Sequence, residues 1–225
     1  MQLQEAIKAI EAGAEPGRAE QVAGYMKVDR PYIGTAMPYL NDLTKQWRRE
    51  LSLDARVQLA GDLWQTNIHE AMIAATKLFI QARIKPDEAV WQMILSWMPD
   101  FDAWAIADHA MMAAQKRLVA DPTRIDQVES WTTSELMWTR RAALVATLPW
   151  TKQNHPKPLD MEIRERVLGW AAGYVEDTEW FIQKAIAWWL RELSKHDPDR
   201  VRQFLAAYGD GMKNFARKEA GKYLT

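Results

Sequence analysis

Cysteine is absent from this chain, and that one absence excludes three chemistries together: a disulfide framework, a thiolate-held metal and a cysteine nucleophile. Long apolar runs are missing too. The opening Met1-Gln2-Leu3-Gln4-Glu5 has no basic segment leading into an apolar one, and no stretch approaches the ~18 uninterrupted apolar residues of a membrane span, so the reading is a soluble, cytoplasmic protein. Nor does charge of either sign dominate. Twenty-nine Lys plus Arg stand against thirty Asp plus Glu, a net −1 with a pI near 6.4, so affinity for a polyanion has to come from cations gathered on one face. No glycine-rich phosphate loop is present, which argues against nucleotide-dependent chemistry. His69-Glu70 lacks the second histidine of a zinc-binding helix, and reads as packing and capping.

What the chain does have is helical spacing in segment after segment, with breaks at Pro, Asp, Ser or Gly and no convincing strand alternation. The expected helices are 2–13, 18–29, 36–49, 53–64, 67–83, 87–98, 101–119, 122–130, 134–148, 159–174, 178–195, 198–208 and 211–223. Short connections imply antiparallel neighbours. Helix pairs repeating about every 30–45 residues are the mark of an α-solenoid of the HEAT kind, in which neighbours stack because one unit cannot bury its apolar face alone. The expected fold is therefore all-α, a single domain over 1–225 of stacked antiparallel pairs forming a curved array with a concave groove. The proline-rich stretch Pro149 to Pro158 is expected to be a loop between units.

Two places carry more than packing. Trp104 and Asp108 stand four apart on one helix, so an indole and a carboxylate project from one side, a pairing suited to stabilising a cation. In 178–195, Ile182, Ile186, Trp189, Leu190 and Leu193 form the apolar stripe, while Lys184, Trp188, Arg191 and Lys195 recur on another face. Trp188 among three cations suits contact with nucleic acid. On spacing alone, Trp104 reads first as a core indole and Asp108 as a solvated helix residue, and Trp188 has the alternative of packing against the next unit. Lys213, Arg217, Lys218 and Lys222 of the last helix are either a basic rim or plain surface. His109 is read as a surface or interface residue, and Met111-Met112 as core or groove floor.

Five blocks together resemble a known family. They are Tyr25-Met26-Lys27 with Pro31-Tyr32-Ile33-Gly34; Leu63-Trp64 with His69-Glu70; Trp104 to Asp108; Trp138 to Ala142; and Phe181 to Trp188 with Leu190-Arg191-Glu192. In order, spacing and residue type, the chain resembles the AlkD-type DNA alkylation repair glycosylases, HEAT-like repeat proteins, over nearly its whole length. The resemblance implies a monofunctional glycosylase that removes N3- and N7-alkylated purines from double-stranded DNA without drawing the lesion into a deep pocket. It implies Asp108 as the catalytic carboxylate, Trp104 and Trp188 as the aromatic residues facing the damaged nucleotide, Arg141 on the phosphate backbone and Tyr25 lining the groove, with Lys184, Arg191 and Lys195 nearby. Helical spacing does not choose between Arg140 and Arg141. Arg141 is preferred because it directly precedes Ala142 in the family's pattern, which leaves Arg140 for a second phosphate or for solvent.

The chemistry fits these roles. A cationic alkylpurine leaves as a neutral base and needs no strong acid, while positive charge grows on the sugar, where a carboxylate stabilises it and orients water. No metal or organic cofactor is expected, no membrane partner, and a monomer is the default. Two other readings remain: a non-catalytic relative that recognises distorted or branched DNA, and a HEAT-type scaffold for a protein partner.

Overall fold

The computed structural model describes residues 1–224. Among the described residues there are thirteen α-helices and no strand, only an isolated antiparallel bridge between Ala14 and Thr35. The helices are α1 (Leu3–Glu11), α2 (Arg18–Met26), α3 (Met37–Glu50), α4 (Leu53–Gln65), α5 (His69–Lys77), α6 (Glu88–Ser96), α7 (Trp104–Ala120), α8 (Ile125–Ser130), α9 (Met137–Ala146), α10 (Pro158–Gly173), α11 (Trp180–Ser194), α12 (Pro198–Tyr208) and α13 (Asn214–Ala220). The chain packs as two compact units, Met1–Arg117 and Leu118–Thr225. Among the described residues no helix is long and apolar enough to cross a membrane.

In the first unit α5 is the central helix: all nine of its residues are buried, and it packs against α3 and α4. α4 begins where the Ser52 hydroxyl accepts the Ala55 N–H, which satisfies one of the donors a helix start leaves open. The start of α5 is tied to the loop before α3. The Glu70 carboxylate accepts the N–H of Ile33 at 2.9 Å and of Gly34 at 2.8 Å, and the His69 N–H donates to the Pro31 carbonyl at 3.0 Å. Gly34 has φ +82°, and a Cβ there would stand 2.6 Å from the Ala19 backbone nitrogen, so the position requires glycine. The expected helix over 67–83 ends early, at Lys77. Arg117, fully buried, takes the carbonyls of Gln81, Ala82 and Ile84 and pairs with Asp87 at 3.1 Å, which holds 81–87 as a loop.

In the second unit α11 is central, packed against α9, α12 and α13. Its expected stripe of Ile182, Ile186, Trp189, Leu190 and Leu193 is buried. Gln183, also buried, donates to the carbonyls of Val175 at 2.8 Å and Asp177 at 2.9 Å and accepts the Lys213 N–H at 2.9 Å, fixing α11 to the start of α13. Arg164 repeats the device of Arg117: fully buried, it donates to the Trp150 and Gln153 carbonyls and to Asp197. It thereby shapes the stretch expected to be a plain loop, which instead contains a 3-10 turn over Leu148–Thr151.

Candidate functional site

Eight of the twelve tryptophans are buried in the core; Trp104, Trp138, Trp180 and Trp188 are not. Trp180 is 48% exposed and the other three are half-buried, so each presents part of an indole to its surroundings.

In the first unit, Trp104 opens α7 and is half-buried. Tyr25, on α2 and 70% exposed, meets it edge to face, ring centroids 6.2 Å apart and planes at 87°. α2 ends one residue later, at Met26, because Lys27 adopts a left-handed φ of 55°, which fixes where Tyr25 stands. Asp108, one turn beyond Trp104, is only 7% exposed, so the field of its carboxylate is weakly screened by water. Behind Trp104 lies a cavity of about 190 Å³, walled by Met26, Met37, Ile73, Ala105 and His109. His109, read from the sequence as a surface or interface residue, is half-buried on the wall of this cavity. Its Nδ1 lies 2.7 Å from the Ala105 carbonyl and takes the role of donor, and burial lowers its pKa. His69 borders the same cavity, and burial, opposed by Glu70, brings its pKa down to about 4. Of the methionine pair, Met111 is core and Met112 exposed.

In the second unit, Arg141, Lys184, Trp188 and Arg191 share the lining of a concavity of about 180 Å³ with Glu219 of α13. Arg141 is 5% exposed; its Nη1 donates to the Phe181 carbonyl at 2.8 Å, and its guanidinium lies 5.8 Å from the Phe181 ring centroid. Arg140, in contrast, is engaged within the protein. It donates to the Ser134 and Glu135 carbonyls and pairs with Asp177 at 3.1 Å. Lys195 stands outside the concavity, held by Glu192 at 2.9 and 3.0 Å with its ammonium 5.0 Å from the Tyr223 ring centroid. Among the other cations of the chain's end, Arg217 pairs with Asp210 at 2.7 Å. Glu219 was not foreseen. It forms an ion pair with Arg191, and nothing in the spacing of 211–223 separates it from a solvated glutamate.

The lining of the second unit, three cations and an indole around one acid, can hold an anionic oxygen and lay an aromatic face beside it. The first unit offers a carboxylate and an indole one turn apart. Among the described residues no group of three or more His, Asp or Glu could hold a metal ion.

These features define an all-α helical-repeat protein with a cationic, aromatic-lined surface. More particularly, the chain belongs to the DNA alkylation repair enzyme family, whose sequence model matches residues 6–224. Its fold is that of a solved structure described as a predicted DNA alkylation repair enzyme from Enterococcus faecalis. The TM-score is 0.78 at 23% identity, over 94% of this chain and 97% of that one. It is shared also with AlkD2 from Streptococcus mutans, at a TM-score of 0.69 and 17% identity, over 99% of each chain. No protein of curated function matches the sequence.

Proposed function

We propose that the chain is a DNA glycosylase of base excision repair that hydrolyses the N-glycosidic bond of cationic N3- and N7-alkylated purines in duplex DNA, acting as a monomer in the cytoplasm where the DNA lies. The observation that carries this reading is Asp108: a carboxylate nearly removed from solvent, one helical turn beyond an indole that remains half open. In the reaction the C1′–N bond breaks with its electron pair going to the base, which departs neutral. Positive charge develops over C1′ and the ring oxygen, and Asp108 stabilises it. Water then bonds to C1′ through its oxygen and releases a proton to bulk water, leaving the sugar with a 1′-hydroxyl. The face of Trp104 favours the same cation, by about 0.5–2 kcal/mol depending on desolvation, and Trp188 offers an aromatic face beside the cations of the second unit. Arg141, with Lys184 and Arg191, holds a backbone phosphate. The reaction so written calls on no cofactor, because the lesion brings its own activated leaving group.

The test is single-turnover release of 7-methylguanine from a duplex bearing one such lesion at low salt. Release by the parent, with Asp108→Asn slowed by orders of magnitude and still binding DNA, supports the reading. A folded parent that binds the duplex and releases neither this base nor 3-methyladenine overturns it, in favour of a DNA-binding relative without excision.

A further inference from the structure

Of the four open indoles, Trp138 and Trp180 have no part in that reaction, and Trp138 packs on Phe181 with ring centroids 4.7 Å apart. Trp180 is the first residue of α11 and 48% exposed, whereas Trp189 on the same helix is fully buried. Phe215 of α13 lies against it, ring centroids 3.8 Å apart and planes tilted by 30°, so one face of the indole is braced. The Lys184 ammonium sits 5.5 Å from the Trp180 centroid and 5.9 Å from that of Phe215. This is the same Lys184 that lines the concavity of Arg141, Trp188 and Arg191. Among the described residues it has no carboxylate partner.

The surroundings are cationic. Phe215 borders a second, open concavity of about 540 Å³ whose other walls are Lys218, Glu219, Gly221 and Lys222. Glu219 is common to both concavities, so they adjoin. Its carboxylate is engaged by Arg191, which leaves Lys184, Lys218 and Lys222 to set the sign of the surface. A braced aromatic face among lysines, next to a lining suited to phosphate, is the construction by which proteins grip an unpaired base. The spacing is also apt. Trp180, Lys184 and Trp188 follow one another at intervals of four along one face of α11, placing the outer two about 12 Å apart. At about 3.4 Å per nucleotide along a strand, that is roughly three to four steps. Within a paired duplex both faces of every base are covered by its neighbours. Only a base at a bulge, gap or strand end has a face to offer.

We propose that Trp180, braced by Phe215 and flanked by Lys184, is a stacking platform for an unpaired nucleobase on the strand whose phosphate is held by Arg141, Lys184 and Arg191. It rests on the reading of the chain as a DNA-binding protein, and gives the protein a preference for DNA with an extrahelical base independent of alkylation. Because every base has a π face, the preference is indifferent to base identity.

The test compares the full chain with Trp180→Ala and Trp180→Phe at low salt, using a fully paired duplex and the same duplex carrying one extrahelical 2-aminopurine. The parent is expected to bind the bulged duplex about ten-fold more tightly and to quench the probe's fluorescence on binding. Trp180→Ala is expected to lose both the preference and the quenching while keeping the parent's affinity for the paired duplex, which certifies its fold. Trp180→Phe should retain most of each. Equal affinities for the two duplexes in the parent, or a preference that survives Trp180→Ala, overturns the platform while leaving DNA binding intact. An equal loss on both duplexes makes Trp180 a general contact and also overturns it. Binding of neither duplex by the parent ends the DNA-binding reading as well and assigns the exposed aromatic pair to a protein partner.

Discussion

Glu219 is ion-paired with Arg191 on the wall of the concavity that Arg191 shares with Arg141, Lys184 and Trp188. The acid occupies part of the space in which the proposed phosphate would be held, and its charge opposes a polyanion's approach. Replacement by Gln keeps the size and removes the charge. Glu219→Gln is expected to bind duplex DNA about three-fold or more tightly at low salt, and its plot of log affinity against log salt is expected to steepen by up to about 0.9, the contribution of one further cation–phosphate contact. A titration series from low to moderate salt measures both. Unchanged affinity would place the phosphate elsewhere.

Asp108 and Arg141 are expected to fail differently. Asp108→Asn is expected to lower the single-turnover rate of base release by orders of magnitude and leave Kd for the lesion duplex within a few-fold, because the carboxylate acts on charge that exists only near the transition state. Arg141→Ala is expected to weaken DNA binding at least ten-fold, as loss of a phosphate contact requires. Measuring Kd and rate separately on each variant distinguishes them, and equal effects on both quantities in both variants would refute the division of labour.

Glu70 is expected to matter for folding. Its carboxylate takes the N–H groups of Ile33 and Gly34 at 2.9 and 2.8 Å, and Glu70→Ala strands both donors. At about 1–3 kcal/mol for an unsatisfied buried polar group, a loss of roughly 2–4 kcal/mol is expected. Glu70→Gln, which keeps one acceptor oxygen, is expected to lose less. Urea denaturation at neutral pH reads the difference, and two variants as stable as the parent would show that water replaces the carboxylate.

Acid is expected to destabilise the protein through its buried histidines. His69 stays neutral in the fold down to about pH 4, whereas in the unfolded chain it takes a proton near 6.5. Between those values the unfolded chain binds more protons, so stability falls as pH falls across that window and levels off below it. For His69 alone the loss is on the order of 3 kcal/mol. His109, whose pKa burial also lowers, adds in the same direction. Urea midpoints between pH 7 and pH 4 are expected to decline, and His69→Gln to flatten the decline; an identical pH profile in that variant would remove His69 from the account.

The helical class was legible in the sequence because apolar residues recur at spacings of three and four while no segment alternates as a strand, which leaves helices only other helices to bury those faces against, as the stripe on α11 is. The sequence also determined that Trp104 and Asp108 share one side of α7 and that Lys184 and Trp188 share one side of α11, since both are matters of local geometry. What lies against those faces follows from how the helices pack. Whether Arg140 or Arg141 reaches the concavity depends on the nearby carbonyls of Ser134 and Glu135 and on Asp177 claiming Arg140, and the contact to Asp177 closes only when distant segments meet. The early end of α5 depends on Arg117, forty residues of sequence away from Lys77. Glu219, Phe215 and the openness of Trp180 were invisible for the same reason: spacing along one helix records which side a residue takes and carries nothing about which neighbour fills the space opposite it.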